Sequence, residues 1–131
     1  MTNESRYIRY YPDWSNRASS AWSTANREVD AINSWIKRYK RCLKSSLYPA
    51  VVCTKVRETL ENKVKSAKET MGWIDAVIKD AERVWINDED ELARLMTGLY
   101  ALASVKEKLQ RAIDEASNYL GLTEGKEGGQ G

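Results

Sequence analysis

The sequence predicts an all-α fold: an elongated antiparallel bundle of three long helices, four if the second breaks near Gly72, preceded by an extended N-terminal arm. Two observations carry this. Apolar residues recur at alternating spacings of three and four over most of the chain. Turn and helix-start signals fall where those stripes lapse, at Leu47-Tyr48-Pro49 and at Asn87-Asp88. The reading divides the 131 residues into an arm over 1–18, a helical domain over 19–121 and a Gly-rich tail over 122–131.

Each element has a local warrant. Residues 1–18 read as an arm because Pro12 interrupts any helix and Tyr7, Tyr10, Tyr11 and Trp14 interleave with Arg6, Arg9 and Arg17. The first helix takes its stripe from Trp22, Ala25, Val29, Ile32, Ile36, Tyr39 and Leu43 and ends near Ser46. The second follows Val52, Val56, Leu60, Val64, Ala67, Met71, Ile74, Ile78, Ala81 and Trp85. Unbroken through Gly72, it would be a rod of about 54 Å at ~1.5 Å per residue. Asn87 to Glu91 is a helix start, since short polar side chains cap free amides and acids suit the positive end of the helix dipole. The third helix runs from Leu92 to Leu120, with Gly121 as its expected stop. The polar, Gly-rich segment from Thr123 is expected to be flexible.

Composition narrows the function classes. No stretch approaches the roughly 20 apolar residues of a membrane span, and Met1 to Tyr11 has no apolar signal-peptide core. There is no His, which removes the commonest general base and metal ligand. Neither a glycine-rich phosphate loop, a nucleophile elbow nor a metal-ligand spacing occurs, so the chain is expected to be non-enzymatic, without cofactor or metal. Cys42 and Cys53 flank a turn and could bridge adjacent helices; free buried thiols are the default expectation.

Charge is strongly divided. Residues 1–68 hold 14 Lys/Arg against 6 Asp/Glu, and residues 69–131 hold 7 against 13. The molecule is thus an electrical dipole along its sequence, suited to presenting a basic surface to a polyanion. On a helical wheel Arg27, Ser34, Arg38 and Arg41 lie opposite the apolar stripe of the first helix, with Lys37 and Lys44 on the flank. Small residues on that side let a phosphate chain approach the backbone, while guanidinium groups reach its oxygens. An ordinary solvated face is the competing reading. Leu92 to Val105, interrupted by few polar residues, is apolar nearly all round, which predicts burial on a second side by self-assembly or within a larger bundle.

The Arg/Tyr/Trp arm Arg6-Tyr7-Ile8-Arg9-Tyr10-Tyr11-Pro12-Asp13-Trp14, followed by a basic helix and long antiparallel helices, resembles the major coat proteins of filamentous archaeal viruses, the rudiviruses and lipothrixviruses. The resemblance implies a coat protein of the virion that pairs, with itself or a paralogous coat protein, into dimers. These wrap linear double-stranded DNA in A form within a helical filament, with a lipid envelope as a further contact. Arg6, Arg9, Arg17, Arg27, Lys37, Arg38, Arg41 and Lys44 would then contact phosphates without sequence preference. Tyr10, Tyr11, Trp14, Leu95, Leu99 and Leu102 would form the assembly interface. The alternative is a helical binding module, a DNA-binding regulator or protein-partner adaptor, acting as monomer or dimer.

Overall fold

The computed structural model describes the backbone of residues 9–127 and the side chains of residues 10–121. The order of elements is β1 (Arg9–Tyr10), α1 (Tyr11–Ser45), α2 (Pro49–Val52), α3 (Thr54–Asp80), a 3-10 turn (Ala81–Arg83), β2 (Val84–Trp85) and α4 (Glu89–Glu127). The three long helices α1, α3 and α4 pack against one another as the apolar periodicity predicts. Their shared core includes Ile32, Ile36 and Tyr39 from α1, Leu60, Ile74 and Val77 from α3, and Leu102, Val105 and Leu109 from α4.

The beginning of α1 differs from the expected arm. Tyr11 to Ala18 are helical, because Pro12 occupies the first turn, where its missing N–H has no intrahelical partner to lose and its fixed φ suits the helix. The earlier start brings Trp14 into the core at 1% exposure, and its indole Nε1 donates to the Val77 carbonyl at 2.8 Å. Ala18, Ala21 and Ala25 continue the buried stripe, and Trp22, expected on it, is exposed. The register is set by the small residues: three alanines let α1 lie close against its neighbours, and the indole of Trp22 falls outside that seam.

Gly98 makes the close approach to Trp14 feasible on the α4 side. A Cβ there would come within 2.9 Å of the indole ring. Arg17 adds an ion pair with Asp80, which Arg83 also reaches at 3.5 Å. Aromatic packing and a shared carboxylate therefore fasten the start of α1 to the end of α3.

The second apolar run is continuous through Gly72 but shorter than its rhythm suggested. A Cβ at Gly72 would meet nothing, so no packing constraint singles out that position for a kink. The run ends at Asp80, because Val84 and Trp85 are drawn into a two-residue parallel pairing with Arg9 and Tyr10. Its start is displaced too: α2 closes at Val52, and α3 begins after Cys53. Cys42 and Cys53 are joined as a disulfide with Cα atoms 6.0 Å apart, in place of the expected free thiols. The bridge locks the end of α1 to the start of α3 and contributes about 2–4 kcal/mol by restricting the unfolded chain.

The start of α4 is capped as its sequence predicts. Asp88 Oδ1 accepts from the Glu91 amide at 2.9 Å, and Glu91 Oε1 accepts from the Asn87 amide at 3.1 Å. Gly121 does not end the helix, which continues to Glu127. Its backbone is not in the left-handed conformation of a helix-terminating glycine. The expected tail over 122–131 is therefore helical in part, and residues 128–131 lie outside the described residues.

Candidate nucleic-acid interface

The C-terminal half of α1 concentrates the cations. Residues 31–57 contain seven Lys/Arg and no Asp or Glu. Lys37, Arg38, Lys40, Arg41 and Lys44 are all exposed. Lys37, Lys40, Arg41 and Lys44 line a shallow groove, their spacings of three, four and seven keeping them on one strip of the helix. Arg38 and Arg27 lie further round, both exposed, as the helical wheel places them. From Arg27 to Lys44 the basic face extends about 26 Å at ~1.5 Å per residue.

Two aromatic rings shape this face. The Arg38 guanidinium lies over Trp35, 4.4 Å from the ring centroid, and Lys40 Nζ lies 5.3 Å from the centroid of Tyr119 on α4. Such contacts hold the stems while leaving N–H donors directed to solvent. Among the described residues, none of Lys37, Lys40, Arg41 and Lys44 forms an ion pair. A dense row of cations without internal counter-charges repels itself, and a polyanion relieves that repulsion while releasing its own condensed counterions.

The structure separates the predicted phosphate-binding set into groups. Arg27, Lys37, Arg38, Arg41 and Lys44 share the outer face of α1, with Arg27 near Thr24 Oγ1 at 3.4 Å. Arg17 is instead engaged by Asp80, so its charge is compensated within the fold. Arg9 enters through its backbone only, in β1, and Arg6 lies outside the described residues. Lys40 joins the set. A helical wheel places it near the edge of the core, which conceals it; its spacing of three and four from Lys37 and Lys44 is the signal in the sequence that points to it.

The predicted assembly residues are corrected more heavily. Trp14, Leu95 and Leu102 are buried within the chain, and Leu99 and Tyr11 are half-buried against the same core. Their apolar surface is already covered within the bundle, so only Tyr10 of that set is exposed. Of the two sides of Leu92 to Val105 expected to be buried, one is covered by the bundle and the other faces outward. Leu95, Leu102 and Val105 face the core, while Leu92, Met96 and Tyr100 form an outward stripe, with Tyr100 at 83% exposure.

Beside the basic face, between α1 and α3, lies a polar hollow of ≈ 250 Å³ lined by Thr24, Arg27, Glu28, Ala31, Lys63 and Ser66. Burial pushes the Glu28 carboxyl above its ordinary range, outweighing the opposite influence of the Thr70 hydroxyl and the Arg27 charge. Its Oε1 is buried without a hydrogen-bond partner, while the Thr70 hydroxyl donates to the Ser66 carbonyl at 3.3 Å.

No helix among the described residues is long and apolar enough to cross a membrane. In comparisons with protein families, with curated proteins and with solved structures, the chain matches none.

Proposed function

We propose that this chain is a structural coat protein that binds linear double-stranded DNA through its phosphate backbone and polymerises along it into a helical filament, as part of a virion. The observation that carries the proposal is the row Lys37, Arg38, Lys40, Arg41 and Lys44, which has no acidic residue within its own segment and, among the described residues, no ion pair on its groove-lining members. Point charges and forked guanidinium groups at helical spacing suit phosphate oxygens, and a convex helix face suits contact with the backbone more than the reading of base edges. Binding of this kind is indifferent to sequence and depends on salt. The outward stripe Leu92, Met96 and Tyr100 supports the assembly half of the proposal, since exposed apolar stripes rimmed by polar residues mark interfaces. The partner subunit is a second copy or a paralogous coat protein, and no chemical step is involved.

The test is a fluorescence-anisotropy titration of labelled duplexes of unrelated sequence over a range of salt. Affinity is expected to be equal across sequences and to fall steeply with salt. Arg38→Glu with Arg41→Glu should weaken binding by more than tenfold and lower the slope of log K against log salt by about 2, at ~0.9 for each phosphate that is no longer neutralised. Unchanged affinity in the double variant, with circular dichroism confirming the same helicity, would remove the basic face from the account.

A further inference from the structure

The two ends of the bundle are complementary in both apolarity and charge. At one end, the connection between α1 and α3 carries Leu47 at 90% exposure, Val51 at 75%, and exposed Tyr48 and Val52. These four side chains project from a short, disulfide-closed segment, a rigid apolar tip. Its surroundings are basic: Lys40, Arg41, Lys44 and Lys55 flank it, within a stretch that contains no acid from residue 31 to residue 57.

The opposite end inverts the charge and repeats the apolarity. Residues 80–91 hold six acids and one Arg; Asp80 is paired with Arg17 and Arg83, and the unbroken run Asp88-Glu89-Asp90-Glu91 carries the charge of this end. The run leads into the outward stripe Leu92, Met96 and Tyr100, and Trp85 and Tyr10, paired through their backbones, are exposed at the same end. Trp85 Nε1 donates to Asn87 Oδ1 at 3.0 Å, which ties this indole to the capped start of α4.

We infer that the basic apolar tip Leu47-Tyr48-Val51-Val52 of one copy docks against the acidic apolar start of α4, at Leu92, Met96 and Tyr100, in the next copy. A patch meeting a different patch on an identical neighbour is a heterologous contact, and it propagates into an open chain when the rotation does not close. Apolar burial supplies the attraction. The opposed charges fix the polarity: tip against tip brings cations together, and start against start brings acids together. A second copy is the partner favoured because the acidic apolar surface that complements the tip is present on the chain itself. The inference deepens the assembly half of the proposed function and rests on it, but does not involve DNA.

Sedimentation velocity of the full chain, free of nucleic acid and followed across two decades of concentration at low and high salt, tests it. The wild type should form oligomers that grow with concentration and shrink with salt. Val51→Asp with Val52→Asp at the tip, and Met96→Asp with Tyr100→Asp at the other end, should each weaken self-association at least tenfold. All four side chains are exposed, so unchanged circular dichroism is expected. Mixing the two variants should then produce a species containing one copy of each and nothing larger, because a single intact contact remains.

Three results would overturn the inference: a wild type that stays monomeric throughout, variants that associate like the wild type, or mixed variants that fail to pair. A tip variant that loses binding to vesicles of anionic phospholipid while associating normally would assign the tip to a lipid surface. Because DNA is absent, a failure here leaves the duplex titration standing, and failure of the titration leaves this contact standing.

Discussion

At its beginning α1 directs Trp14 and Arg17 toward α3, the indole donating to the Val77 carbonyl and the guanidinium engaging Asp80. At its end the same helix holds Lys37, Lys40, Arg41 and Lys44 out in a groove where no carboxylate among the described residues pairs with them. Arginine and aromatic residues occur in both regions, so composition does not distinguish them. The difference lies in what the facing helix brings. The end of α3 supplies Asp80 opposite Arg17, whereas α4 supplies the Tyr119 ring opposite Lys40. A compensated cation belongs to the fold, and an uncompensated row is available to a partner.

Altering side chains in each region separately should affect stability at one end of α1 and binding at the other. Trp14→Ala removes a fully buried indole and its hydrogen bond, and should cost about 3–5 kcal/mol in chemical denaturation, while the folded fraction binds duplex as before. Arg38→Glu with Arg41→Glu should do the reverse, leaving stability within about 0.5 kcal/mol while binding collapses. A double variant that unfolds, or a Trp14 variant that stays folded yet no longer binds, would show that the two regions are not separable.

Glycine exchanges sharpen the same contrast at smaller amplitude. Gly98→Ala places a Cβ into the Trp14 ring, a buried and immobile neighbour, and should cost about 1–3 kcal/mol by overpacking. Gly72→Ala meets nothing and should gain up to about 1 kcal/mol of helix propensity. Thermal melts of the two variants should move in opposite directions.

The smallest effect concerns Glu28, where the basic face meets the core. Its folded pKa is raised, so the folded state holds the proton more tightly than the unfolded chain does. The associated stability is fully present below the unfolded carboxyl pKa, for which the ordinary value is 4.5, and is lost as pH rises through the raised folded value. Glu28→Gln should therefore melt above the wild type at neutral pH, and the difference should vanish at acidic pH. A difference independent of pH would assign the effect to packing.

Much of the fold was legible in sequence because helix periodicity and capping are local. The three stripes, the turn at Leu47-Tyr48-Pro49 and the capped start of α4 at Asp88 and Glu91 all follow from neighbours within one or two turns. What escaped depends on tertiary contact. Pro12 reads equally as a break or as a first-turn residue, and only the packing of Trp14 between Val77 and Gly98 decides between them. Trp22 and Ala21 are adjacent, and hydrophobicity favours the indole, yet close helix approach selects the alanine for burial.

The outward cations of α1 follow from the wheel, since they require only that the stripe face inward. Arg17 could not be separated from them without knowing that Asp80 lies across from it. The apolar excess over Leu92 to Val105 was visible, but the choice between Leu95 and Leu102 on one side and Leu92, Met96 and Tyr100 on the other depends on which side meets α1 and α3.

Coat formation is tested by negative-stain electron microscopy of the purified chain mixed with linear duplex DNA at low salt, beside a protein-only control and the Arg38→Glu, Arg41→Glu variant. Filaments of uniform width whose length follows that of the DNA are expected, and bare or unevenly decorated DNA with the variant. Discrete particles of fixed size in the wild-type sample, with the DNA left uncoated and a co-expressed paralogous coat protein making no difference, would contradict coat formation.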